Sequence, residues 1–492
     1  MKKIAASLVL AVLGSAVVAQ TNAPATRALS LQDCLTEALK HNFDVQVERY
    51  EPEKSLLNLH AAYAGYDPVF SLSGTHTHNE SGGVFVTNGV STIPISDVNS
   101  FNSGINGALP WGTTIGVNGN VADSYGIGDE SAGGQVAVNA TQPLLKNFWI
   151  DGTRLSISAA KNQLKSSEQG LRAQLITTVT AVENAYYELI YARENVKVQQ
   201  QALDLAQTQL DQDRQRVEIK VLAERGGTIE QDEAQVAQSR ANLIAAQFTL
   251  EQDENTLKNL ITDTYVQWHD VDVEPSATLA AVRQLFDVQD SWSKGLAQRP
   301  DLRQAQLSLE QQGIQLKFDR NQIFPQLDVS ASYGYNGGGT GYDNTFDQYG
   351  TANRPYYSYG AALKVPLSNV GARNSLKADR AVEQQDLLKL KQLEQNVMVE
   401  IDNAVKQAQS AWESVDATQK ARTYAEAALS AEQGKYAVGK STTFTVLQLQ
   451  NNLTAARSQE IRALANYNES LANLAQQEGS TLERHQLDVK VK

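Results

Sequence analysis

Residues 171–196 read LRAQLITTVTAVENAYYELIYARENV, and this stretch decides the helical part of the fold. Its apolar and small side chains recur at steps of 4, 3, 4 and 3 residues, which is the seam of a heptad repeat. The seam consists of Leu171, Leu175, Thr178, Val182, Ala185, Leu189, Ala192 and Val196. A second apolar stripe lies beside it, at Ile176, Val179, Tyr186 and Ile190. The helix therefore needs neighbours on two sides.

The helix around this seam is unusually long. The chain has no proline between Leu144 and Glu274, so the pattern predicts one helix from Thr153 to Ala223, roughly 105 Å long at about 1.5 Å per residue. A matching seam occurs later, at Leu390, Leu393, Val397, Ile401, Ala404, Ala408, Ala411 and Val415. Helices of this length fit the wall of a helical tube, and a soluble coiled-coil bundle has the same periodicity.

The two seams belong to an internal duplication. One set of anchors recurs at an offset of 257: Leu39, Asp44 and Pro68 match Leu296, Asp301 and Pro325. Another recurs at an offset of 217: Gln231, Arg240 and Leu257 match Gln448, Arg457 and Leu474. The sequence therefore predicts a first repeat over residues 20–262, a linker over 263–287, a second repeat over 288–479 and a tail over 480–492.

Each repeat also contains strands, predicted at about 67–143 and 326–367. From Leu327 to Tyr335 and from Tyr357 to Leu367, apolar or aromatic residues alternate with small or polar ones. Alternation of this kind is typical of a strand with one face in lipid and the other toward a wet lumen. A half-buried strand of a soluble sandwich alternates identically.

The number of strands bears on the assembly. Closing a barrel takes about eight strands, and an open sheet edge cannot lie in lipid. If the strands enter a membrane, several chains must share one barrel. The first repeat has two additional alternating segments, Phe101–Leu109 and Thr113–Val121, around a turn at Pro110-Trp111-Gly112. These segments could add strands, extend a hairpin outside the cell or fold back into the lumen.

The first residues predict a secreted protein. Lys2 and Lys3 precede an apolar run that ends in small residues, which predicts a signal peptide over residues 1–19. Cys34 is the only cysteine, so no intramolecular disulfide can form, and its position on the apolar side of a first helix predicts a packing role.

Composition and motifs argue against nucleic-acid binding and catalysis. The net charge of −13 provides no basic surface for nucleic acid. The six histidines are scattered, and no Gly-x-Ser-x-Gly or His-Glu-x-x-His motif occurs, so we predict no enzyme activity and no cofactor. His76 and His78 share a strand face, but the offset of 257 aligns them with Tyr333 and Tyr335, where amphipathic side chains suit a membrane interface. We therefore predict no metal site.

The glycine run of residues 337–341 reads GGGTG and lies between two predicted strands. Because we expect no helix to begin there, the run is predicted to be a loop rather than a phosphate-binding site.

Two local motifs accompany the duplication. Residues 142–145 read QPLL, and residues 435–441 read KYAVGKS, followed by Val446-Leu447. With these motifs, the chain resembles the TolC-like outer-membrane efflux protein family from Leu29 to about Gly479. The resemblance implies an α+β fold with a tandem structural repeat, in which a long-helix periplasmic α-barrel continues into a shared transmembrane antiparallel β-barrel.

The resemblance also implies an assembly and its partners. The protein would be a homotrimer in outer-membrane lipid, with a twelve-stranded barrel, four strands per chain, and a twelve-helix tube in the periplasm. It would conduct passively, with an inner-membrane transporter supplying energy and a periplasmic adaptor joining the two.

Site residues follow from the same resemblance. The helix turns that would contact the adaptor contain Leu222, Ala223, Gly226 and Gly227 in the first repeat, and Ala437, Val438, Gly439 and Ser441 in the second. The family's pore-entrance acids fall on Thr445 and Gln448, which are uncharged here. Glu230 and Asp232 of the first repeat are the alternative acids. The first turn lacks the family's Val-Gly pair.

Two classes of function follow from the sequence. One is an outer-membrane channel for efflux or type I secretion, and the other is a periplasmic or surface coiled-coil structural protein. Drugs, metals, metabolites and secreted polypeptides fit the channel equally well.

Overall fold

The fold is described from a computed structural model that covers residues 25–80, 82, 85–87, 90–92, 95–126, 130–218 and 228–487. The predicted signal peptide, residues 1–19, lies outside the described residues. So does the predicted first helix turn, with Leu222, Ala223, Gly226 and Gly227.

The helices of the described residues are, in chain order, α1 (Leu31–His41), α2 (Phe43–Ala62), α3 (Gly152–Glu218), α4 (Thr228–Ile261), α5 (Tyr265–Trp268), α6 (Val288–Gln298), α7 (Pro300–Gln322), α8 (Tyr342–Thr351), α9 (Val370–Ala437), α10 (Thr443–Glu478) and α11 (Thr481–Arg484). The strands are β1 (Ala25–Leu29), β2 (Val69–Glu80), β3 (Phe85–Thr87), β4 (Val90–Thr92), β5 (Ile95–Ala108), β6 (Thr114–Gly126), β7 (Ser131–Pro143), β8 (Val271–Pro275), β9 (Gln326–Gly339) and β10 (Pro355–Lys364). None of the described helices is both long enough and apolar enough to span a membrane.

The element boundaries repeat along the chain. Helices α1 and α6 begin at Leu31 and Val288, and strands β2 and β9 begin at Val69 and Gln326, so both pairs differ by 257 residues. The long helices α3 and α9 contain 67 and 68 residues. The predicted long helix is confirmed as α3 as far as Glu218, while its predicted end at Ala223 lies outside the described residues. Every seam residue from Leu171 to Ala192 is buried.

Two compact units divide the chain, and each takes segments from both predicted repeats. The first contains the described parts of Met1–Asn42, Ala181–Arg283 and Ala411–Glu469. The second contains Phe43–Thr180, Gln284–Ser410 and the described part of Ser470–Lys492.

In the first unit, the linker segment is structured. Strand β8 lies within predicted linker residues 263–287 and pairs in parallel with β1. The Tyr186 hydroxyl donates to the carbonyl of Leu29 at 3.1 Å and accepts from the N–H of Ala277 at 3.3 Å. Cys34 is fully buried and forms no disulfide bond, which agrees with its predicted packing role. Burial raises the pKa of its thiol to about 12.

The second unit contains a large antiparallel sheet in the strand order β10-β9-β7-β6-β5-β2. The two additional segments form β5 and β6 inside this sheet, so one chain contributes six strands to it. The expectation of four barrel strands per chain stays a prediction. Strand β5 pairs with β2 and β6 over its length. The turn between β5 and β6 is closed by the N–H of Leu109 donating to Thr113 at 2.7 Å, with Gly112 at a φ of +87°. A short turn and continuous pairing place the additional pair in the sheet.

The two faces of this sheet differ in chemistry, because residues opposite one another in the register share a face. One face, called here the apolar face, exposes Phe70, Leu72, Ile105, Val117, Val138, Tyr333, Tyr357, Tyr359 and Leu363. The other, the polar face, carries Ser71, Ser73, Asn102, Asn106, Asn118, Asn120, Asn139, Ser332 and Ser358. On the polar face, the carboxamides of Asn106 and Asn118 donate to each other at 3.0 and 3.1 Å.

The prediction that no helix begins at the glycine run is wrong. Residues 337–339 end β9, and Gly341, with a φ of +81°, precedes helix α8, so a helix does begin at this run. Helix α8 lies on the apolar face, where its Tyr349 hydroxyl donates to the carbonyl of Asn120 at 2.9 Å. The predicted tail contains α11, whose Leu482 is buried.

Candidate pore-entrance and adaptor-contact site

All residues of the candidate site that the structure describes lie in the first unit, where two helical hairpins come together. The first hairpin is α3 with α4, and the second is α9 with α10. Leu429, Tyr436, Val446 and Leu453 form the buried core of the second hairpin, and Leu205 of α3 packs against it. The two hairpins therefore meet through apolar contacts as well as through polar groups.

The second helix turn reverses the chain at Gly439. The N–H of Gly439 donates to the carbonyl of Tyr436 at 3.0 Å, and the N–H of Lys440 donates to that of Lys435 at 2.9 Å. These two bonds form a Schellman motif, which satisfies carbonyls at the end of α9. Gly439 has a φ of +73°. A Cβ there would meet no atom within 4 Å, so the requirement for glycine is conformational rather than steric.

The tip of this turn presents apolar side chains to solvent. Val438 is 69% exposed, Phe444 is 64% exposed, and Ala437 is also exposed. Ser441 is half-buried, and its hydroxyl donates to the Glu432 carboxylate at 2.5 Å. A rigid turn with exposed apolar side chains suits contact with another protein.

The start of α10 carries the two uncharged residues predicted at the pore entrance. The Thr442 hydroxyl accepts from the N–H of Thr445 at 3.3 Å and caps the helix. The hydroxyls of Thr442 and Thr445 also lie 3.0 Å apart. Thr445 is half-buried and Gln448 is exposed. This end of α10 therefore offers hydroxyl and amide groups but no charge at these two positions.

The two acids predicted at the first hairpin lie in different environments. Glu230, in the first turn of α4, is exposed. Asp232 is completely buried, and neither of its carboxyl oxygens accepts a hydrogen bond from an N–H or hydroxyl donor among the described residues. Glu230 can thus present its charge to water, whereas Asp232 faces the interior of the hairpin pair.

Asp213, a residue that sequence reasoning missed, joins the two hairpins. Its side chain is completely buried near the end of α3. One carboxylate oxygen accepts from the hydroxyl of Tyr436 at 2.7 Å, the amide of Gln209 at 2.9 Å and the hydroxyl of Thr443 at 3.3 Å. Arg216 lies 3.6 Å from the other oxygen and stacks over the ring of Tyr436. These contacts hold the ends of α3, α9 and α10 together.

Asp213 and Asp232 form a buried carboxyl pair. Burial and the charge of Asp213 raise the pKa of Asp232 to about 7. Two carboxyl groups in a dry site cannot both ionise without a large energetic cost, so such pairs hold one shared proton. Because the three donors contact Asp213, we assign the proton to Asp232.

Sequence signals for this cluster exist but are weak. Tyr436 lies in the turn motif of residues 435–441, which was identified from the sequence. Asp213 lies in a run that reads DQDRQR at residues 211–216, and a run of this kind usually belongs to a solvated helix face. Its neighbour Asp211 is exposed. The two acids therefore differ only in which side of α3 they occupy, and Asp213 is the one that faces the second hairpin.

This combination of long helices and a sheet also occurs in solved structures of outer-membrane proteins. The sequence profile of the outer membrane efflux protein family matches residues 112–262 and 292–480, which is most of the chain. The chain belongs to the outer membrane efflux protein family. The predicted resemblance to this family is confirmed. The family is one of efflux proteins and not of enzymes.

Individual relatives agree with this assignment. The pyoverdine export outer membrane protein OpmQ of Pseudomonas aeruginosa is 26% identical over 333 residues, which is 64% of each chain. The outer membrane efflux protein BepC of Brucella suis is 24% identical over 67% of this chain and 68% of its own. The chain thus matches slightly less than two thirds of the length of OpmQ. The crystal structure of the outer membrane protein VceC of Vibrio cholerae has the same fold, with a TM-score of 0.68, 19% identity, and coverage of 91% of this chain and 96% of VceC.

Proposed function

We propose that this protein is the outer-membrane exit channel of a tripartite export system and conducts its cargo passively. The large sheet with one apolar and one polar face, in a chain of the outer membrane efflux protein family, is the observation that supports this most directly. The apolar face suits contact with lipid, and the polar face, rich in serine and asparagine, suits a water-filled lumen. A purely structural coiled-coil protein needs neither face.

The proposed assembly is a homotrimer in the outer membrane, with its helices in the periplasm. One chain provides a sheet of six strands, which is too few to close around a lumen. Its edges must therefore be covered by other copies before the sheet can lie in lipid.

The proposed contact with a periplasmic adaptor lies at the helix turns. Val438, Ala437 and Phe444 are exposed at the tip of the second hairpin, where the Schellman motif fixes the backbone. An adaptor with an apolar helical tip would bury these side chains. The inner-membrane transporter that energises export would be reached through the adaptor.

The proposed cargo is a small molecule. The names of OpmQ and BepC concern pyoverdine export and efflux, respectively. On the polar face of the sheet, the carboxamides of Asn102, Asn106, Asn118 and Asn120 offer uncharged hydrogen-bonding groups along β5 and β6. A surface of this chemistry lets polar molecules of either charge pass without strong retention.

Membrane extraction and export assays test this function together. We expect the protein to require detergent for extraction, to migrate as an oligomer resistant to sodium dodecyl sulfate, and to restore efflux to a strain that lacks its own outer-membrane channel. A variant in which Val438 and Phe444 are both replaced by Asp should keep the oligomer and lose export. A water-soluble protein that assembles without detergent and never restores efflux would favour the structural alternative.

A further inference from the structure

A cavity of about 360 Å³ lies on the apolar face, between helix α8 and the sheet. We call it the α8 groove. Binding pockets for small molecules begin at about 300 Å³, so the groove is large enough to hold a ligand. Its apolar lining consists of Leu72, Phe101, Val121 and Val136 of the sheet, with Phe346 and Tyr349 of α8.

Glycines of the sheet determine where α8 comes close and where it leaves space. A Cβ at Gly337 would clash with the carbonyl oxygen of Thr345, and a Cβ at Gly134 would clash with the hydroxyl of Tyr349. A Cβ at Gly119 would instead meet only atoms of the sheet, the nearest at 3.5 Å, which is ordinary van der Waals contact. Helix α8 therefore rests on Gly134 and Gly337, and the space over Gly119 is part of the groove.

Aromatic rings and hydrogen bonds fix the walls of the α8 groove. The rings of Phe101 and Tyr342 meet edge to face with centroids 6.1 Å apart, and those of Phe346 and Tyr349 do so at 6.0 Å. The Tyr342 hydroxyl donates to the carbonyl of Asn99 at 3.4 Å, at the opposite end of α8 from the bond made by Tyr349. Since both ends of α8 are bonded to the sheet, the groove is a built feature of the fold.

Several apolar side chains of the α8 groove remain in contact with solvent. Leu72 is 69% exposed, Phe346 is 55% exposed and Phe101 is 48% exposed. A cavity that served only to pack α8 against the sheet would bury these side chains. The groove is thus open along the apolar face, and an apolar occupant would cover it.

The position of the α8 groove on the sheet indicates what this occupant is. The groove belongs to the face that the proposed function places in lipid, whereas export would use the opposite, polar face. His76 and His78 follow Leu72 on the same face of β2, and His76 is about 14 Å beyond Leu72 at about 3.4 Å per residue. Both imidazoles lie within 3.7 Å of one carboxylate oxygen of Asp97. Polar groups of this kind suit the headgroup layer, because hydrocarbon does not solvate them.

We infer that the α8 groove binds an acyl chain of an outer-membrane lipid, with the lipid headgroup at the level of His76 and His78. This inference rests on the proposed function, which places the apolar face in lipid, and adds a specific lipid site to it. A free fatty acid fits less well, because its carboxylate would be repelled by Asp97. The described residues that line the groove include no lysine or arginine to offset that repulsion.

Photolabelling in vesicles tests the lipid site. The purified oligomer is placed in vesicles of phosphatidylethanolamine and phosphatidylglycerol with a trace of phosphatidylcholine that carries a diazirine in one acyl chain. After illumination and proteolysis, mass spectrometry maps the labelled residues. We expect the label to concentrate on β5, β6 and α8 around the groove. Tyr359 and Leu363, which are exposed on the apolar face away from the groove, should be labelled much less.

Filling the groove should remove this label. Gly119→Leu is sterically tolerated at its Cβ and extends a side chain into the groove. The labelling of the groove should fall at least about tenfold, because the leucine displaces several methylenes and each buried methylene contributes to chain binding. Ala361→Leu is the matched control, since it adds the same side chain to the apolar face on β10, outside the groove. Its labelling of the groove should equal that of the unmodified protein.

A second variant covers the case in which Gly119→Leu does not assemble. Phe346→Ala removes a wall of the groove at a side chain that is more than half exposed, so the fold should be retained. The labelling of the groove should again fall. Oligomers resistant to sodium dodecyl sulfate show which variants have assembled.

Each result has a distinct meaning. Label that concentrates in the groove and is lost in the variants supports the lipid site. Equal labelling along the whole apolar face, or groove labelling that neither variant lowers, would overturn the site and leave the proposed export function intact. So would a groove without label on an otherwise labelled face, which would mean that another copy of the chain covers it. A protein that does not float with the vesicles would overturn both.

Discussion

The two repeats contribute equally to the helices and unequally to the sheet. Helices α3 and α9 differ by one residue in length, whereas the first repeat supplies four strands to the large sheet and the second supplies two. A heptad seam restricts the residue type at every third or fourth position along a long helix. A sheet accepts an additional antiparallel hairpin wherever a short turn and matching alternation permit. The helical part is therefore the more constrained of the two.

The helix tips show a second asymmetry, in charge. The first hairpin buries Asp213 and Asp232 and exposes Glu230, while the second presents uncharged Thr445 and Gln448 at the start of α10. The buried charge of the first hairpin is held by hydroxyl groups of the second. These hydrogen bonds connect the first repeat to the second.

Replacing Asp213 should have the largest effect. Asp213→Asn removes the charge that accepts from Tyr436, Thr443 and Gln209. Weakening several charge-assisted bonds to a buried group should lower the free energy of unfolding by roughly 2–4 kcal/mol. Thermal unfolding of the oligomer in detergent measures the loss. Asp211→Asn is the matched control, because Asp211 is exposed two residues earlier on the same helix. Equal melting temperatures for the two variants would contradict the role of Asp213.

Replacing Asp232 should act in the opposite direction and depend on pH. Its pKa in the folded protein is raised to about 7 from the ordinary value of 3.8, so the folded state keeps a proton that the unfolded chain releases. The stability linked to this proton is complete below about pH 4 and is lost as the pH rises toward 7. Asparagine does not ionise, so Asp232→Asn avoids this loss of stability. The substitution should raise the free energy of unfolding at pH 8 by roughly 1–3 kcal/mol.

Melting temperatures at pH 5 and pH 8 test whether the effect of Asp232→Asn on stability depends on pH in this direction. The stabilisation by Asp232→Asn should be larger at pH 8 than at pH 5. Glu230→Gln serves as the control and should change neither value, because Glu230 is exposed in the same turn of α4. A stabilisation that is the same at both pH values would show that Asp232 does not titrate in this range.

A smaller effect is expected at the turn itself. Gly439→Ala places a Cβ on a residue with a φ of +73° and should cost roughly 1 kcal/mol. Gly434→Ala is the matched control, since Gly434 lies inside α9 with open space around it. It should stabilise the helix by roughly 0.5–1 kcal/mol. Chemical denaturation of the two variants should therefore give shifts of opposite sign, and shifts of the same sign would contradict the assigned turn.

The sequence predicted those features that depend on periodicity along one element. The burial of Leu175, Val182 and Leu189 follows from the heptad seam, and β9 and β10 follow from strict alternation. The position of β5 and β6 did not follow, because alternation identifies a strand but not its neighbours. Asp213 was missed for a related reason, since its burial depends on helices that are more than 200 residues away along the chain.

Single-channel recording tests the central claim most directly, namely that this protein is a channel whose entrance is lined by the start of α10. The purified oligomer in a planar bilayer under a salt gradient should conduct ions. Thr445→Asp should shift its reversal potential toward that of a cation-selective pore, because threefold symmetry would place three carboxylates in a narrow space. Thr442→Ser, which changes no charge at the same turn, should leave the reversal potential unchanged. A protein that does not conduct, or a Thr445→Asp channel with the original reversal potential, would contradict the account.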